Sequence, residues 1–177
     1  MTAHATTLRV RRVIKRKPPR LVPIFQRFDA PVFFVTFNTH RRQAILANAA
    51  LHDAFIADCR RAEQFRIGVG RYVIMPDHVH LFVCFGTGCE ITLSEWIKGL
   101  KRHLDKVLTA SGCERVRVRS QKLASFWQPG FHDHLLRSDE SYAAKWGYVF
   151  QNPVRAGLVV RAEDWPFAGE IVHIDRT

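Results

Sequence analysis

Tyrosine is scarce in this chain of 177 residues: only Tyr72, Tyr142 and Tyr148 stand beside 13 phenylalanines, so any chemistry carried by a phenol has few candidates. Cysteine is equally thin. Cys59, Cys84, Cys89 and Cys113 form no Cys-x-x-Cys pair, which excludes a recognisable disulfide framework, offers no zinc site and fits a reducing compartment. Cys59 and Cys84 fall on apolar positions of their segments and read as buried thiols. No apolar run reaches the length of a membrane span and the first residues lack the apolar centre of a secretory signal, so a cytoplasmic protein is expected. Acidic residues are also short, 16 against 27 lysines and arginines, for a formal charge of +11 and a pI near 10.2. Such a field favours a polyanion, nucleic acid first and an anionic membrane surface second. It says nothing about catalysis, and basic charge also serves solubility.

The length suits one domain. Residues 1–30 read as a basic arm in which Arg9, Arg11, Arg12, Lys15, Arg16, Lys17 and Arg20 surround Pro18-Pro19, either an unstructured leader or a segment that orders on a phosphate backbone. The folded domain is expected over 31–168, with a tail over 169–177. Its first strand is Val32-Phe33-Phe34-Val35-Thr36-Phe37. A helix follows from about Asn48 to Gln64, with Leu51, Phe55, Cys59 and Ala62 at helical spacing. The runs Arg71–Met75 and His78–Cys84, divided by Pro76-Asp77, form a hairpin. A second helix spans about Thr92 to Leu108, with Leu93, Trp96, Ile97, Leu100, Leu104 and Val107 as its apolar stripe and Thr92 or Ser94 as N-cap. Lys98, Lys101, Arg102 and Lys106 fall outside that stripe, giving a basic side that follows a phosphate backbone or is simply a solvated face. Arg115, Arg117 and Arg119 alternate with valines, as in a loop tracking DNA or an edge strand defended by charge. Phe126–Gln128 and Phe131–Arg137 suggest a strand broken at Pro129-Gly130. A third helix begins near Asp139, carries Tyr148 and ends at Pro153. The order strand, helix, strand, strand, helix, strand predicts an α+β fold: a ferredoxin-like βαββαβ antiparallel sheet with helices on one face and an appended C-terminal helix carrying the tyrosine.

The most informative segment is Met75-Pro76-Asp77-His78-Val79-His80-Leu81-Phe82-Val83. A strand alternates its faces and rises about 3.3 Å per residue, so His78 and His80 project the same way, roughly 6.6 Å apart along the backbone. That spacing suits two ligands of one metal ion, and equally two histidines on the solvated face of a sheet. Tyr148 and Asn152 stand one helical turn apart and share a face. Two imidazoles, a phenol and an amide oxygen can together make a phosphoryl-transfer centre; alone, Tyr148 would read as an interfacial aromatic. Tyr72 reads as a packing residue, and Tyr142, six residues before Tyr148, faces elsewhere on the helix.

Four separated blocks then carry a resemblance: His78-Val79-His80; Phe126-Trp127-Gln128; Gly130-Phe131-His132-Asp133-His134; and Tyr148 with Asn152-Pro153-Val154-Arg155-Ala156-Gly157-Leu158-Val159. Together with Asp164-Trp165-Pro166-Phe167 they resemble the single-tyrosine HUH transposases, and most closely the REP-associated tyrosine transposases, over residues 30 to 168. The resemblance implies a metal-dependent endonuclease and strand transferase on single-stranded, hairpin-bearing DNA. It implies that His78, His80 and Asn152 hold Mg²⁺ or Mn²⁺ and that Tyr148 is the nucleophile, leaving a 5′-phosphotyrosine. It further implies a nucleoid-associated monomer or homodimer, with Arg11, Arg12, Lys15, Arg16, Lys98, Lys101, Arg102, Arg117, Arg119 and Arg155 as candidate DNA contacts. Two positions depart from the pattern: Asp77 stands where the family more often has Asn, and Pro129 where a basic residue is frequent. Asp77 is expected to orient a histidine or add charge to the metal site, and His132 and His134 to serve structure or substrate contact. A single-strand nucleic-acid-binding module without catalysis, and a phosphohydrolase in which the histidines activate water, are the alternatives.

Overall fold

The computed structural model describes residues 31–115, 125–136 and 139–174. Strands β1 (Val32–Asn38), β2 (Ile67–Ile74), β3 (His78–Phe85), β4 (His132–Leu136) and β5 (Ala168–Glu170) form one antiparallel sheet in the order β4-β1-β3-β2-β5. Helices α1 (Ala49–Ala62) and α2 (Leu93–Ala110) complete the βαββαβ unit, and α3 (Asp139–Phe150) and the single turn α4 (Asn152–Arg155) follow it. β5 extends the sheet along β2, so the expected boundary at residue 168 falls inside a strand. Among the described residues no helix is long and apolar enough to cross a membrane.

Local chemistry accounts for the two core helices. Asn48 caps α1, its side chain accepting the Leu51 N–H at 2.9 Å, and Leu51, Phe55, Cys59 and Ala62 are buried in a single stripe. Thr92 rather than Ser94 caps α2, through a reciprocal box in which Glu95 returns a bond to the Thr92 N–H. Leu93, Ile97, Leu100, Leu104 and Leu108 are buried, whereas Trp96 and Val107 lie at the margin of the core. Each fully buried leucine or isoleucine contributes about 1.5–3 kcal/mol of transfer free energy, so this stripe fixes how α2 lies on the sheet.

The sheet has two unlike faces. Val35, Phe37, Val79, Leu81 and Val83 pack under α1 and α2. On the opposite face the register places Asn38 beside His78, Thr36 beside His80 and Phe34 beside Phe82. α3 covers only part of that face: Tyr142 packs tilted against Phe82 with ring centroids 4.6 Å apart, and Val149 packs on Val73 and Met75. The two histidines thus begin where the apolar cover of this face stops. In β2 the register shifts between Val69 and Tyr72, so Ile67 and Val69 before the bulge and Tyr72 and Ile74 after it face the same core. Gly70 lies in the bulge, where a Cβ would come within 2.6 Å of Ile174 Cδ1, so a larger residue would have to push the Ile174 side chain aside.

Candidate active site

Each histidine is held by its Nδ1. Asp77 Oδ1 lies 2.6 Å from His78 Nδ1, and because a carboxylate only accepts, Nδ1–H donates and Nε2 keeps its lone pair. Thr36 Oγ1 lies 2.7 Å from His80 Nδ1 and holds that ring in the same way when Nδ1 carries the proton. The rings meet edge to face with centroids 4.6 Å apart. Such bonds through the distal nitrogen are what orient imidazole ligands toward a cation. Asp77 is itself gripped, its Oδ2 being 2.6 Å from Arg42 Nε, while Arg42 Nη1 donates to Asn38 Oδ1 at 2.7 Å. The turn carrying Asp77 is fixed by the Thr39 N–H bonding the Asp77 carbonyl and the Leu46 N–H bonding that of Pro76.

Sequence reasoning found Asp77 but missed Thr36 and Arg42. A polar residue in the middle of the apolar run of β1, on the face of the histidines, was the available signal for Thr36. Arg42 had none, since its role depends on a backbone turn: Arg41 and Arg42 have φ of 55° and 57°, left-handed values costly for non-glycine residues and concentrated at functional sites.

Burial, with the charges of His78, Arg42 and Arg155, pushes the His80 pKa down to about 3, and burial also lowers that of His78 against the pull of Asp77. Both rings therefore stay neutral at physiological pH, the form that ligates metal. Stability follows the same shift: an unfolded histidine takes up its proton near pH 6.5 while folded His80 does not, so its contribution is complete above pH 6.5 and is lost as pH falls toward 3. Urea midpoints of the wild type should drop more steeply between pH 6.5 and 4 than those of His80→Gln, and parallel profiles would contradict this environment for His80.

The three tyrosines differ sharply in access. Tyr72 is 3% exposed, bonded to His52 Nε2 at 2.8 Å and pushed up to about 12 by burial; Tyr142 is 9% exposed; Tyr148 is 65% exposed. Pro153 does not simply end the Tyr148 helix as expected. α3 stops at Phe150 and Pro153 lies in the first turn of α4, where its missing N–H leaves no bond unmade. Arg155 binds this junction together: its guanidinium sits 4.0 Å from the Tyr148 ring centroid, and its Nη2 donates to the Tyr148 carbonyl at 2.6 Å and to Asn152 Oδ1. Arg155 is also one of the charges acting on His80. One turn before Tyr148, the Lys145 ammonium lies 5.3 Å from the Phe34 ring, which stacks on His80 at 5.5 Å. The histidine pair and the Tyr148–Asn152 junction thus border one region.

Among the described residues no three His, Cys, Asp or Glu side chains form a metal-holding group. The donors at hand are two neutral imidazoles and an amide oxygen, a set that suits a divalent cation completing its shell with water and phosphate oxygens. His132 and His134 are exposed on β4 and pair with Thr36 and Phe34, so they stand on the same face, one strand beyond His80's partner.

The basic residues divide. Lys98 and Arg102 are exposed on α2, in the layer across the sheet from the histidines. Lys101 departs from expectation: it is partly buried, its Nζ bonding the carbonyls of Gln128 at 3.2 Å and Gly130 at 2.6 Å and lying over Phe37 and Trp127, and burial lowers its pKa to about 8. The 125–131 segment folds back onto α2 and turns this position inward. Arg11, Arg12, Lys15, Arg16, Arg117 and Arg119 lie outside the described residues.

Residues 32–144 match the family described as "Transposase IS200 like". The chain is 28% identical over 137 residues to the REP-associated tyrosine transposase of Escherichia coli (strain K12), covering 77% of this chain and 73% of that one. It is 31% identical over 97 residues, 54% of each chain, to a Haemophilus influenzae protein provisionally given the same name. A solved structure of a REP-associated tyrosine transposase bound to a REP hairpin superposes with a TM-score of 0.60 at 26% identity, covering 78% of this chain and 75% of the other.

Proposed function

From a chain that belongs to the IS200-like transposase family, we propose a tyrosine transposase that nicks and rejoins single-stranded hairpin DNA through a 5′-phosphotyrosine. The observation that carries this reading is the exposure of Tyr148 beside Asn152, with Arg155 bonded to both and acting on His80. Hairpin DNA as substrate is supported by the relative solved with a REP hairpin and by the formal charge of +11.

His78, His80 and Asn152 would hold Mg²⁺ or Mn²⁺. Such a cation polarises the scissile phosphate and stabilises charge developing on its oxygens. Asp77 holds the His78 ring with Nε2 unprotonated, Thr36 fixes the orientation of the His80 ring, and Arg42 holds Asp77 in place. Tyr148 Oη attacks phosphorus and gives up its proton as the bond to the 3′ oxygen breaks and that oxygen is protonated. Arg155, stacked on the ring, restrains the phenol. The phosphodiester is conserved in the link to tyrosine, so a 3′-hydroxyl attacking in the reverse sense rejoins strands without ATP.

Incubation with 5′- or 3′-labelled hairpin DNA and Mn²⁺, followed by denaturing electrophoresis, should give a protein band carrying the 3′ label, while the 5′ label leaves on a free fragment that ends in a 3′-hydroxyl. Bound but uncut DNA would favour the binding-module alternative, and cut DNA without a covalent band would favour water as nucleophile.

A further inference from the structure

On the histidine face of the sheet, three arginines already spend their donors on the protein. Arg42 grips Asp77 and Asn38. Arg71 pairs with Glu170 at 3.5 Å and lies over the rings of Tyr142 and Trp146. Arg155 bonds the Tyr148 carbonyl and Asn152. Lys145 is different. Its side chain is half-buried, with Nζ 5.3 Å from the centre of the Phe34 ring, yet among the described residues its ammonium makes no hydrogen bond and no ion pair. An ammonium carries three donors, and here the described protein groups accept none of them.

Two elements fix where that ammonium stands. On α3, Lys145 precedes Tyr148 by three residues, a spacing that puts both side chains on one face with Cβ atoms about 5–6 Å apart. On β1, the strand beside the one that carries the histidines, Phe34 touches both partners: Lys145 lies over its ring, and the ring stacks on His80 with centroids 5.5 Å apart. The ammonium therefore borders the space that the phenol and the imidazole share. His78, His80 and Asn152 bring no charge of their own to that space, since both rings are neutral at physiological pH. We propose that Lys145 is a catalytic residue that grips the scissile phosphate, its ammonium on a non-bridging oxygen as Tyr148 Oη attacks. The bond from Oη to phosphorus forms while that from phosphorus to the 3′ oxygen breaks. One proton leaves the phenol and one arrives on the 3′ oxygen; Lys145 keeps its own and acts by charge on the oxygens where negative charge grows. The inference rests on the proposed reaction and adds to it a cation of the chain itself.

The test compares Lys145→Met and Lys145→Arg with the wild type in the full chain. Methionine keeps an unbranched stem on the Phe34 ring and removes the charge with its donors, so packing is preserved. With hairpin DNA, Mn²⁺ and saturating protein, adduct formation in a single turnover should slow about 10²-fold in Lys145→Met. Hairpin affinity should shift by less than about threefold, because the contact strengthens only as charge develops. Lys145→Arg, which restores the charge, should recover most of the lost rate. Joining of a strand with a 3′-hydroxyl to the isolated Lys145→Met adduct should slow by a similar factor, since both directions cross one transition state. A Lys145→Met rate close to the wild type, a Lys145→Arg rate as low as that of Lys145→Met, or unimpaired joining overturns the assignment. The two readings fail separately: wild-type protein that forms no adduct defeats the reaction itself, and an adduct that forms as fast in Lys145→Met defeats this role alone.

Discussion

Tyr148→Phe is expected to reduce the covalent protein–DNA adduct by four orders of magnitude or more, roughly the loss seen when a nucleophile is removed from a preorganised site, while hairpin affinity changes less than about threefold. The substitution deletes one oxygen from a side chain that is 65% exposed, so no core contact is lost. Phenylalanine keeps the ring under the Arg155 guanidinium and leaves the bonds of Arg155 to the Tyr148 carbonyl and Asn152 unaltered. Tyr72→Phe and Tyr142→Phe are the controls. Tyr72 spends its hydroxyl on His52 inside the core and Tyr142 packs on Phe82, so either change should leave adduct formation intact, though Tyr72→Phe should lower the melting temperature. An adduct that survives in Tyr148→Phe refutes the nucleophile.

The second large effect is expected at the histidines. His78→Ala and His80→Ala should each slow metal-dependent cleavage by about 10³-fold, because polarisation of the phosphate by a bound cation is worth several kcal/mol. The two substitutions should differ in stability. His80 is wedged between Thr36 and Phe34 and carries the larger depression of its pKa, so its removal opens a gap under a covered part of the sheet. His78 stands nearer the open end, and its loss leaves Asp77 paired with Arg42. Cleavage by His80→Ala at the wild-type rate, in protein folded by circular dichroism, would remove the histidines from the chemistry.

Much of this architecture was legible because it is written in short periods. Alternation in β3 separates His78 and His80 from Val79 and Leu81, and the structure puts the latter under α1 and α2. Spacing of three and four gives α1 and α2, and Thr92 was one of two candidate caps for the second. What escaped depends on segments distant in sequence. The bulge in β2 reverses its alternation midway, so no single period describes Ile67–Ile74. β5 is three residues long and exists only because β2 offers an edge. Lys101 looks like a surface lysine on α2 until the 125–131 segment lies over it, and Arg42 matters only because a left-handed turn brings it to Asp77. At the site, the histidines, Tyr148, Asn152 and Asp77 were readable, but Thr36 and Arg42, which hold His80 and Asp77 in place, were not.

The central claim is that the histidine pair and Tyr148 serve one reaction centre. Its most direct test uses the scarcity of tyrosine: protein uniformly labelled with 3-fluorotyrosine shows three ¹⁹F resonances, assigned by single Tyr→Phe substitutions, and is titrated with Mn²⁺. The account predicts that the Tyr148 line broadens first and most, and that the broadening disappears in His80→Ala. Saturable Mn²⁺ binding that depends on His80 but leaves the Tyr148 line sharp, or broadens Tyr72 instead, would contradict it.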